Sequence, residues 1–294
     1  MLPIISKRKI WYAFSSTLIV ASIVFLVVFG LKLGIDFTGG SLWEIKTSQE
    51  LKVSDVRAFL SSYVGGDLVV QPTADGFLMR FKETDEETHQ KILADFENKF
   101  GKIEEKRFES IGPVIGQELK RKSYISVVLV SLAMILYIAW AFRKVSKPVN
   151  SWIYGFLTVV ALLHDVILPL GVFSVLGKFL NVEIGASFIA AILTVAGYSV
   201  NDTIVVFDRV RENLIKEGEK DFENVVEKSI NQTMARSINT TLTTLLALIA
   251  VYFFGGETVK YFALALIIGI ASGAYSSIFI ASPLLVSWYK RQNK

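Results

Sequence analysis

Residues 184–207 read IGASFIAAILTVAGYSVNDTIVVF, and Asp202 is the only charged side chain among these 24 residues. A helix of about 20 predominantly apolar residues is long enough to cross about 30 Å of hydrocarbon. The stretch therefore predicts a membrane-spanning helix. A charge at bilayer depth costs at least about 2.5 kcal/mol, so we expect the carboxylate to have a specific role.

Five further stretches are similarly long and apolar, and they predict five more spans. They cover residues 10–30, 124–142, 152–177, 239–255 and 261–288. The first follows Lys7, Arg8 and Lys9, but it is longer than the core of a signal peptide and no small-x-small cleavage site follows, so we interpret it as a retained signal anchor. The sequence therefore predicts a polytopic α-helical membrane protein with six transmembrane helices.

The composition agrees with this fold only if charged and apolar residues are segregated along the chain. The 294 residues are 52% hydrophobic, yet they include 31 Lys+Arg and 27 Asp+Glu, for a net charge of +4. This balance argues against a soluble enzyme, a disordered chain and a nucleic-acid binder. There are no cysteines and only two histidines, so disulfides, thiolate chemistry and a histidine-rich metal site are excluded.

The distribution of Lys and Arg in the short loops predicts which side of the membrane each loop lies on. One side has fifteen of these residues: Lys7, Arg8, Lys9, Arg143, Lys144, Lys147, Arg209, Arg211, Lys216, Lys220, Lys228, Arg236, Lys290, Arg291 and Lys294. The short loops of the other side have only Lys178 and Lys260. Both termini are therefore expected in the cytoplasm, and the segment 31–123 outside it.

The segment 31–123 has the periodicity of a folded α+β domain. We predict strands at 41–48, 68–72, 77–82 and 102–110, and helices at 53–64 and 86–100. Ser54 and Asp55 are candidate N-cap residues of the first helix, and Asp75-Gly76 indicates a hairpin. The order βαββαβ predicts a ferredoxin-like domain. No catalytic spacing is present, which favours a docking or conformational module.

The chain is thus divided into a first part at 1–30, the extracytoplasmic domain at 31–123 and a five-helix bundle at 124–294. Apolar residues recur at helical spacing near 219–234, which predicts an amphipathic helix on the cytoplasmic interface. In the last span, Gly269 and Gly273 belong to a stripe of small residues that allows close helix approach. The stripe fits either internal packing or contact with a partner subunit.

Two carboxylates lie within the apolar spans, Asp165 and Asp202, and Arg236 lies just before the fifth span. One interpretation is that both aspartates hold helices together by hydrogen bonds. The other is a proton relay, because burial favours the neutral carboxyl group whereas a nearby Arg favours the charged one. The Tyr-Asp and Gly-x-Gly-Asp motifs of intramembrane aspartyl proteases are absent from the sequence.

Five motifs together resemble the SecD/SecF protein-export family, and within it the smaller, SecF half. They are GIDFTGG at 34–40, IGPVIG at 111–116, LHD at 163–165, GYSVNDT at 197–203 with FDRVREN at 207–213, and RSINTTLTT at 236–244. The family residues that fall on these motifs include Asp36, Gly39, Gly40, Asn201, Thr203, Asp208 and Arg209. The resemblance extends over nearly the whole chain.

The resemblance implies membership of the resistance–nodulation–division superfamily and a place in the cytoplasmic (inner) membrane of a bacterium. It implies SecD, the SecYEG channel, YajC and a translocating unfolded polypeptide as partners, besides membrane lipid and without nucleic acid. Protons are the implied coupling ion, with no other cofactor. The proton-conducting residues of the family fall on Asp202 and Arg236, and Asp165 matches a further family position.

Two alternatives remain open at this point. A small-molecule or lipid exporter of the same superfamily would usually have larger external domains and both halves in one chain. A structural assembly factor would stabilise the channel without conducting protons. Neither alternative is an enzyme.

Overall fold

The computed structural model describes residues 2–66, 68–73, 75–141, 149–218 and 221–292. It divides into two compact units, Met1–Lys32 with Ile125–Lys294, and Leu33–Tyr124. Five of the basic residues used to predict the orientation lie outside the described residues: Arg143, Lys144, Lys147, Lys220 and Lys294. The orientation therefore stays a prediction.

The secondary-structure elements follow one another in an order that places four strands between two apolar helices. They are α1 (Arg8–Phe29), α2 (Ile35–Thr38), β1 (Gly40–Thr47), α3 (Val53–Leu60), β2 (Val69–Pro72), β3 (Gly76–Phe81), α4 (Glu86–Phe100), β4 (Ile103–Ile111), α5 (Pro113–Ala141), α6 (Ser151–Leu180), α7 (Ala186–Glu217), α8 (Phe222–Phe254), α9 (Glu257–Ser276), a π-helical segment (Ser277–Ala281) and α10 (Ser282–Gln292).

Six helical stretches in the described chain are long and apolar enough to cross a membrane, as the sequence predicts. They are α1, α5, α6, α7, α8 and the last span formed by α9, the π-helical segment and α10. About half of the most apolar part of α6, α7 and the last span is buried inside the protein, whereas α1, α5 and α8 are mostly exposed there. The protein is therefore a multi-pass membrane protein whose innermost helices are α6, α7 and the last span.

The prediction of a separate interfacial helix near 219–234 is wrong, because α8 runs without a break from Phe222 to Phe254. Arg236, expected just before the fifth span, consequently lies inside that helix. No Gly or Pro interrupts the stretch. The hydroxyls of Thr233, Thr240 and Thr243 donate to carbonyls one turn back, so polar residues are accommodated without ending the helix.

The first turns of α8 also hold the N-terminal segment. The Glu227 carboxylate accepts from the backbone N–H groups of Ile4 at 2.6 Å and Ile5 at 2.8 Å, and Glu223 pairs with Arg8 at 2.8 Å. Ile4 and Ile5 are buried in the core of the bundle. This end of α8 is thus packed against other parts of the chain.

The second unit contains a four-stranded antiparallel sheet with the strand order β2-β3-β1-β4. Its elements follow the order βαββαβ, from β1 to β4. The core combines residues of β1 with residues of both helices, including Trp43, Ile45, Phe59 and Phe96. The predicted hairpin is confirmed, since Thr73 N–H donates to the Gly76 carbonyl at 2.9 Å beside the β2–β3 pairing.

The predicted N-cap of α3 is wrong. The residue before the helix is Lys52, whose extended backbone presents its carbonyl to the N–H groups of Asp55 and Val56. Ser54 and Asp55 therefore lie within the first turn of α3. Helix α4 has the predicted bounds, and the side chain of Asp85 caps it by accepting from Thr88 N–H at 2.8 Å.

Candidate functional site

Asp165 lies on α6, fully buried, among polar side chains from three helices. Ser199 of α7 and both Ser272 and Ser276 of α9 donate their hydroxyls to its two oxygens, each at 2.6 Å. Nδ1 of the neighbouring His164 lies 2.9 Å from Oδ1. One carboxyl group thus joins α6, α7 and α9, and both of its oxygens have partners.

Two glycines of α9 allow this helix to approach α7 closely beside Asp165. A Cβ atom at Gly269 would lie 2.2 Å from Cγ2 of Val195, and a Cβ atom at Gly273 would lie 3.3 Å from Cα of Ser199. A larger residue at Gly269 would require Val195 to move. The two glycines of the predicted stripe therefore face α7 inside the bundle, on the same side as the serines that bind Asp165.

Asp202 lies on α7 and is also buried, but its partners are few. Its Oδ1 accepts from the Ser237 hydroxyl of α8 at 2.7 Å. Its Oδ2 is buried and has no partner of hydrogen-bond geometry within the described part of the chain. A buried oxygen without a donor costs about 1–3 kcal/mol, and such a group is often found where a proton, ion or water acts.

Arg236 precedes Ser237 on α8, but its side chain is exposed and has no ion-pair partner among the described residues. The structure therefore brings Ser237, and not Arg236, to the Asp202 carboxyl group. Asn239, Thr240 and Thr243 are exposed on the same helix. Together with Arg236 they follow i, i+3, i+4, i+7 spacing and form a polar stripe on an exposed apolar helix.

The remaining motif residues of α7 have local contacts. Asn201 is exposed, and the Thr203 hydroxyl lies 3.2 Å from that of Ser277. Asp208 pairs with Arg211 at 3.5 Å, and Arg209 pairs with Glu212 at 2.7 Å. These ion pairs join residues of one helix, near its end at Glu217.

The GIDFTGG and IGPVIG motifs pack against each other in the second unit. Gly39 ends α2 and Gly40 begins β1, with φ values of 75° and 121° that disfavour other residues. A Cβ atom at Gly39 would lie 2.8 Å from Cα of Pro113, and one at Gly116 would lie 2.9 Å from the Gly39 nitrogen. Half-buried Asp36 lies in α2, a helix that the sequence did not predict.

Sequence reasoning missed the serines that surround the two carboxylates. Ser272 and Ser276 are four residues apart in the last span, and such spacing places both on one face. This was a usable signal, because that face also includes Gly269 and Gly273, but small residues in a span are equally typical of close packing. Among the described residues, no group of three or more His, Asp or Glu could hold a metal ion.

Comparison with known proteins gives a consistent picture. Residues 91–291 match the family model "Protein export membrane protein SecD/SecF, C-terminal", and residues 24–50 match "SecD/SecF GG Motif". The chain is 44% identical to the protein translocase subunit SecF of Thermobaculum terrenum and 39% identical to that of Anaerolinea thermophila. Each alignment covers 98% of this chain and 94% of the relative.

Two solved structures are similar in fold. The crystal structure of SecDF from Thermus thermophilus, described as a translocon-associated membrane protein, superposes with a TM-score of 0.85 at 32% identity. It is matched over 100% of this chain and 39% of its own length. SecDF in a super-membrane-facing form superposes with a TM-score of 0.71 at the same identity. The chain thus spans about two fifths of the SecDF chains that it matches.

Proposed function

The chain belongs to the SecD/SecF family of protein export membrane proteins, as a SecF-type translocase subunit, and we propose that it acts with SecD to couple the proton motive force to protein translocation through SecYEG. The observation that carries this proposal is the Asp202 site. Its buried Oδ2 has no partner of hydrogen-bond geometry in the described chain, and we propose that a proton is gained and lost on this atom. Asp165, whose two oxygens already have partners, offers no such atom.

Asp202 provides the charge change that the mechanism needs, and Arg236 provides a fixed positive charge beside Ser237 in the sequence. Protonation of Asp202 removes a buried negative charge, and loss of the proton restores it. Arg236 faces outward on α8, where a carboxylate of SecD would compensate its charge at bilayer depth. The SecDF chains are matched over only 39% of their length, so about three fifths of them lie outside the match, and we propose that a SecD half contacts the polar stripe of α8.

The membrane potential supplies the energy for this switch. A charge that crosses the full potential yields about 2.3 kcal/mol per 100 mV, enough to shift a two-state equilibrium by more than tenfold. We propose that the change in helix packing moves the βαββαβ unit, a ferredoxin-like domain on the outer side of a bacterial cytoplasmic membrane. That unit would then hold or release the exported unfolded polypeptide.

The proposal also includes the orientation of the chain in the membrane, its lipid contacts, a further partner and the coupling ion. Both termini lie in the cytoplasm, the exposed apolar faces of α1 and α5 contact lipid, and YajC is a further candidate partner. Protons are the coupling ion, and no other cofactor is required. Asp165, which the sequence also suggested as a relay residue, supports the relay by keeping helices α6, α7 and α9 together and does not itself carry the proton.

The proposal is tested by exchanging the carboxyl group of Asp202 for an amide. Asp202→Asn keeps the size of the side chain but cannot exchange a proton. In vesicles that contain the chain with SecD and SecYEG, we expect proton-driven export to fall to the level measured without a gradient. Asp55→Asn, at an exposed position of α3, serves as the matched control and should export like the wild type.

Wild-type export by Asp202→Asn under a sustained proton gradient would contradict the relay. If export by the wild type is also unchanged when the gradient is collapsed, the subunit acts as a structural assembly factor. Gradient-driven movement of a small molecule or lipid, without any effect on polypeptide export, would instead favour the exporter.

A further inference from the structure

A short loop at residues 181–185 connects α6 to α7, the two helices that carry the membrane aspartates. Val182 and Ile184 are buried, so the loop is packed against the bundle. Asn181 has left-handed backbone with φ 55°, a conformation that Asn adopts more readily than most residues. Because it is short and packed at both ends, this loop has to follow any rearrangement of α6 and α7.

Lys32 binds this loop with its backbone and with its side chain. Its carbonyl accepts from the Ile184 N–H at 2.9 Å. Its ammonium donates to the side-chain oxygen of Asn181 at 3.1 Å and lies 3.5 Å from a carboxylate oxygen of Glu183. The Glu183 side chain is only 13% exposed, so this ion pair is screened less than one that lies in water. Three successive contacts thus hold Lys32 to the α6–α7 loop.

The helix that precedes Lys32 is also fixed to α6. The Ser174 hydroxyl of α6 donates to the Phe25 carbonyl of α1 at 2.8 Å. A Cβ atom at Gly177 of α6 would lie 3.3 Å from Cβ of Lys32, so the absence of a side chain there allows the close approach. The end of α1 and Lys32 therefore follow α6 as well as its loop.

The chain passes between the two compact units at two places. One lies between Lys32 and Leu33, and the other lies inside α5, between Tyr124 and Ile125. Most of the apolar part of α5 is exposed, so the innermost helices have little contact through which to act on it. The connection at Lys32 is instead bonded to the loop between two of those helices. A rearrangement of α6 and α7 therefore has a more direct route to the second unit through Lys32.

We propose that Lys32 is a positioning residue that couples the two units, because its side-chain bonds to the α6–α7 loop transmit the rearrangement of the bundle to the second unit. The inference rests on the proposed function, in which protonation of Asp202 changes the packing of the helices. Export then requires two separable events, proton uptake at Asp202 and movement of the second unit. Loss of the Lys32 side-chain bonds impairs the second event and leaves the first intact.

The test measures proton uptake and polypeptide export in the same vesicles, which contain the chain with SecD and SecYEG. Lys32→Met removes the ammonium group and keeps much of the length of the side chain. We expect the amount of polypeptide exported per proton to fall about fivefold, the lower end of the coupling commonly measured between linked sites. The rate of proton uptake should stay at the wild-type level.

Three further variants define the cause of this effect. Asn181→Gly removes the acceptor of the Lys32 ammonium, and glycine adopts the left-handed φ without strain, so a smaller decrease is expected while the Glu183 pair remains. Lys32→Arg keeps the positive charge and should restore most of the export per proton. Lys178→Met is the matched control, because Lys178 is an exposed lysine near the end of α6, and it should behave like the wild type.

Wild-type export per proton in Lys32→Met overturns the inference. An equal loss of proton uptake and export in this variant also overturns it, because that is the result of a purely structural role. In both cases, a loss of proton uptake and export in Asp202→Asn still supports the proposed function. Wild-type export by Asp202→Asn overturns the proposed function, and with it the coupling that rests on it.

Discussion

Asp165 and Asp202 are the same residue type on neighbouring helices of one bundle, and both are buried, yet their surroundings differ. Asp165 is bound by three serine hydroxyls at 2.6 Å and lies 2.9 Å from a histidine nitrogen. Asp202 has one donor at 2.7 Å and an oxygen without a partner in the described chain. Burial alone therefore does not distinguish a structural carboxylate from one that can change its protonation.

The difference has a direct physical meaning. Several donors stabilise one charge state and hold the groups that supply them, so a change at Asp165 would disturb three helices together. A carboxyl group with an unpaired oxygen can adopt either protonation state with little rearrangement. The two sites are therefore expected to respond in opposite ways to substitution, Asp165 mainly in stability and Asp202 mainly in transport.

The largest expected effect on stability is that of Asp165→Ala. It leaves the hydroxyls of Ser199, Ser272 and Ser276 without their acceptor, and we expect the free energy of unfolding to fall by about 3 kcal/mol or more. Asp202→Ala affects only one donor and removes an unpaired oxygen, so its cost should be about 1 kcal/mol. Thermal unfolding in detergent, followed by circular dichroism, measures both. Equal losses of stability would remove the distinction between the two sites.

A smaller effect is expected from Gly273→Ala, which changes the packing beside Asp165 without removing a polar group. The new Cβ would lie 3.3 Å from Ser199 and 3.7 Å from Asp165 Oδ2, and we expect a loss of about 1–2 kcal/mol. Gly155→Ala is the control, because its Cβ would lie 3.5 Å from Ile138, an ordinary contact. If both variants have the same thermal midpoint, close approach of α9 is not needed to assemble the Asp165 site.

Replacing a serine by alanine also tests the difference between the two aspartates, because a serine hydroxyl donates to each of them. Ser272→Ala removes one of several donors to Asp165, and Ser237→Ala removes the hydroxyl that donates to Asp202 Oδ1. Each should cost about 1 kcal/mol of stability. Only Ser237→Ala should change the rate of proton-driven export, because only Asp202 carries the proton. Equal changes in export would mean that both carboxylates belong to the relay.

The sequence was sufficient to predict those features that depend on local periodicity or on a charged residue within an apolar stretch. The six apolar spans, the strand and helix pattern of the second unit, and the two aspartates follow from such signals. The bounds of α4 agree because Asp85 is a strong N-cap residue and Gly101 follows its last turn.

Features that depend on contacts between distant residues could not be predicted. The hydroxyls around Asp165 come from positions 34, 107 and 111 residues away, and a serine in a span has no pattern that identifies its partner. The interfacial helix near 219–234 and the span at 239–255 were predicted as separate elements on either side of Arg236, but they form one helix, α8, whose threonine hydroxyls bond to its own carbonyls. Pro283 was a local signal for the π-helical segment, although proline is common in membrane helices and does not specify the type of distortion.

The smallest effect is expected outside the bundle, where Lys106 pairs with Asp75 at 2.8 Å and both side chains are exposed. The hydrogen bond from the Lys106 ammonium lowers the pKa of Asp75 below its ordinary value of 3.8. A lowered folded-state pKa stabilises the protein above the ordinary value, and this contribution is lost as the pH falls through the lowered one. Asp75→Asn should therefore lower the thermal midpoint slightly at neutral pH, and the difference should disappear in acid.

Added salt separates this exposed pair from the buried carboxylates. Charges in water are screened within about 8 Å at physiological ionic strength, whereas buried groups are screened much less. The effect of Asp75→Asn should therefore vanish at high salt, while that of Asp165→Ala should persist. If salt reduces both effects equally, water reaches Asp165 in the folded protein, and the contrast between the two membrane carboxylates would have to rest on solvent access instead of on the number of donors.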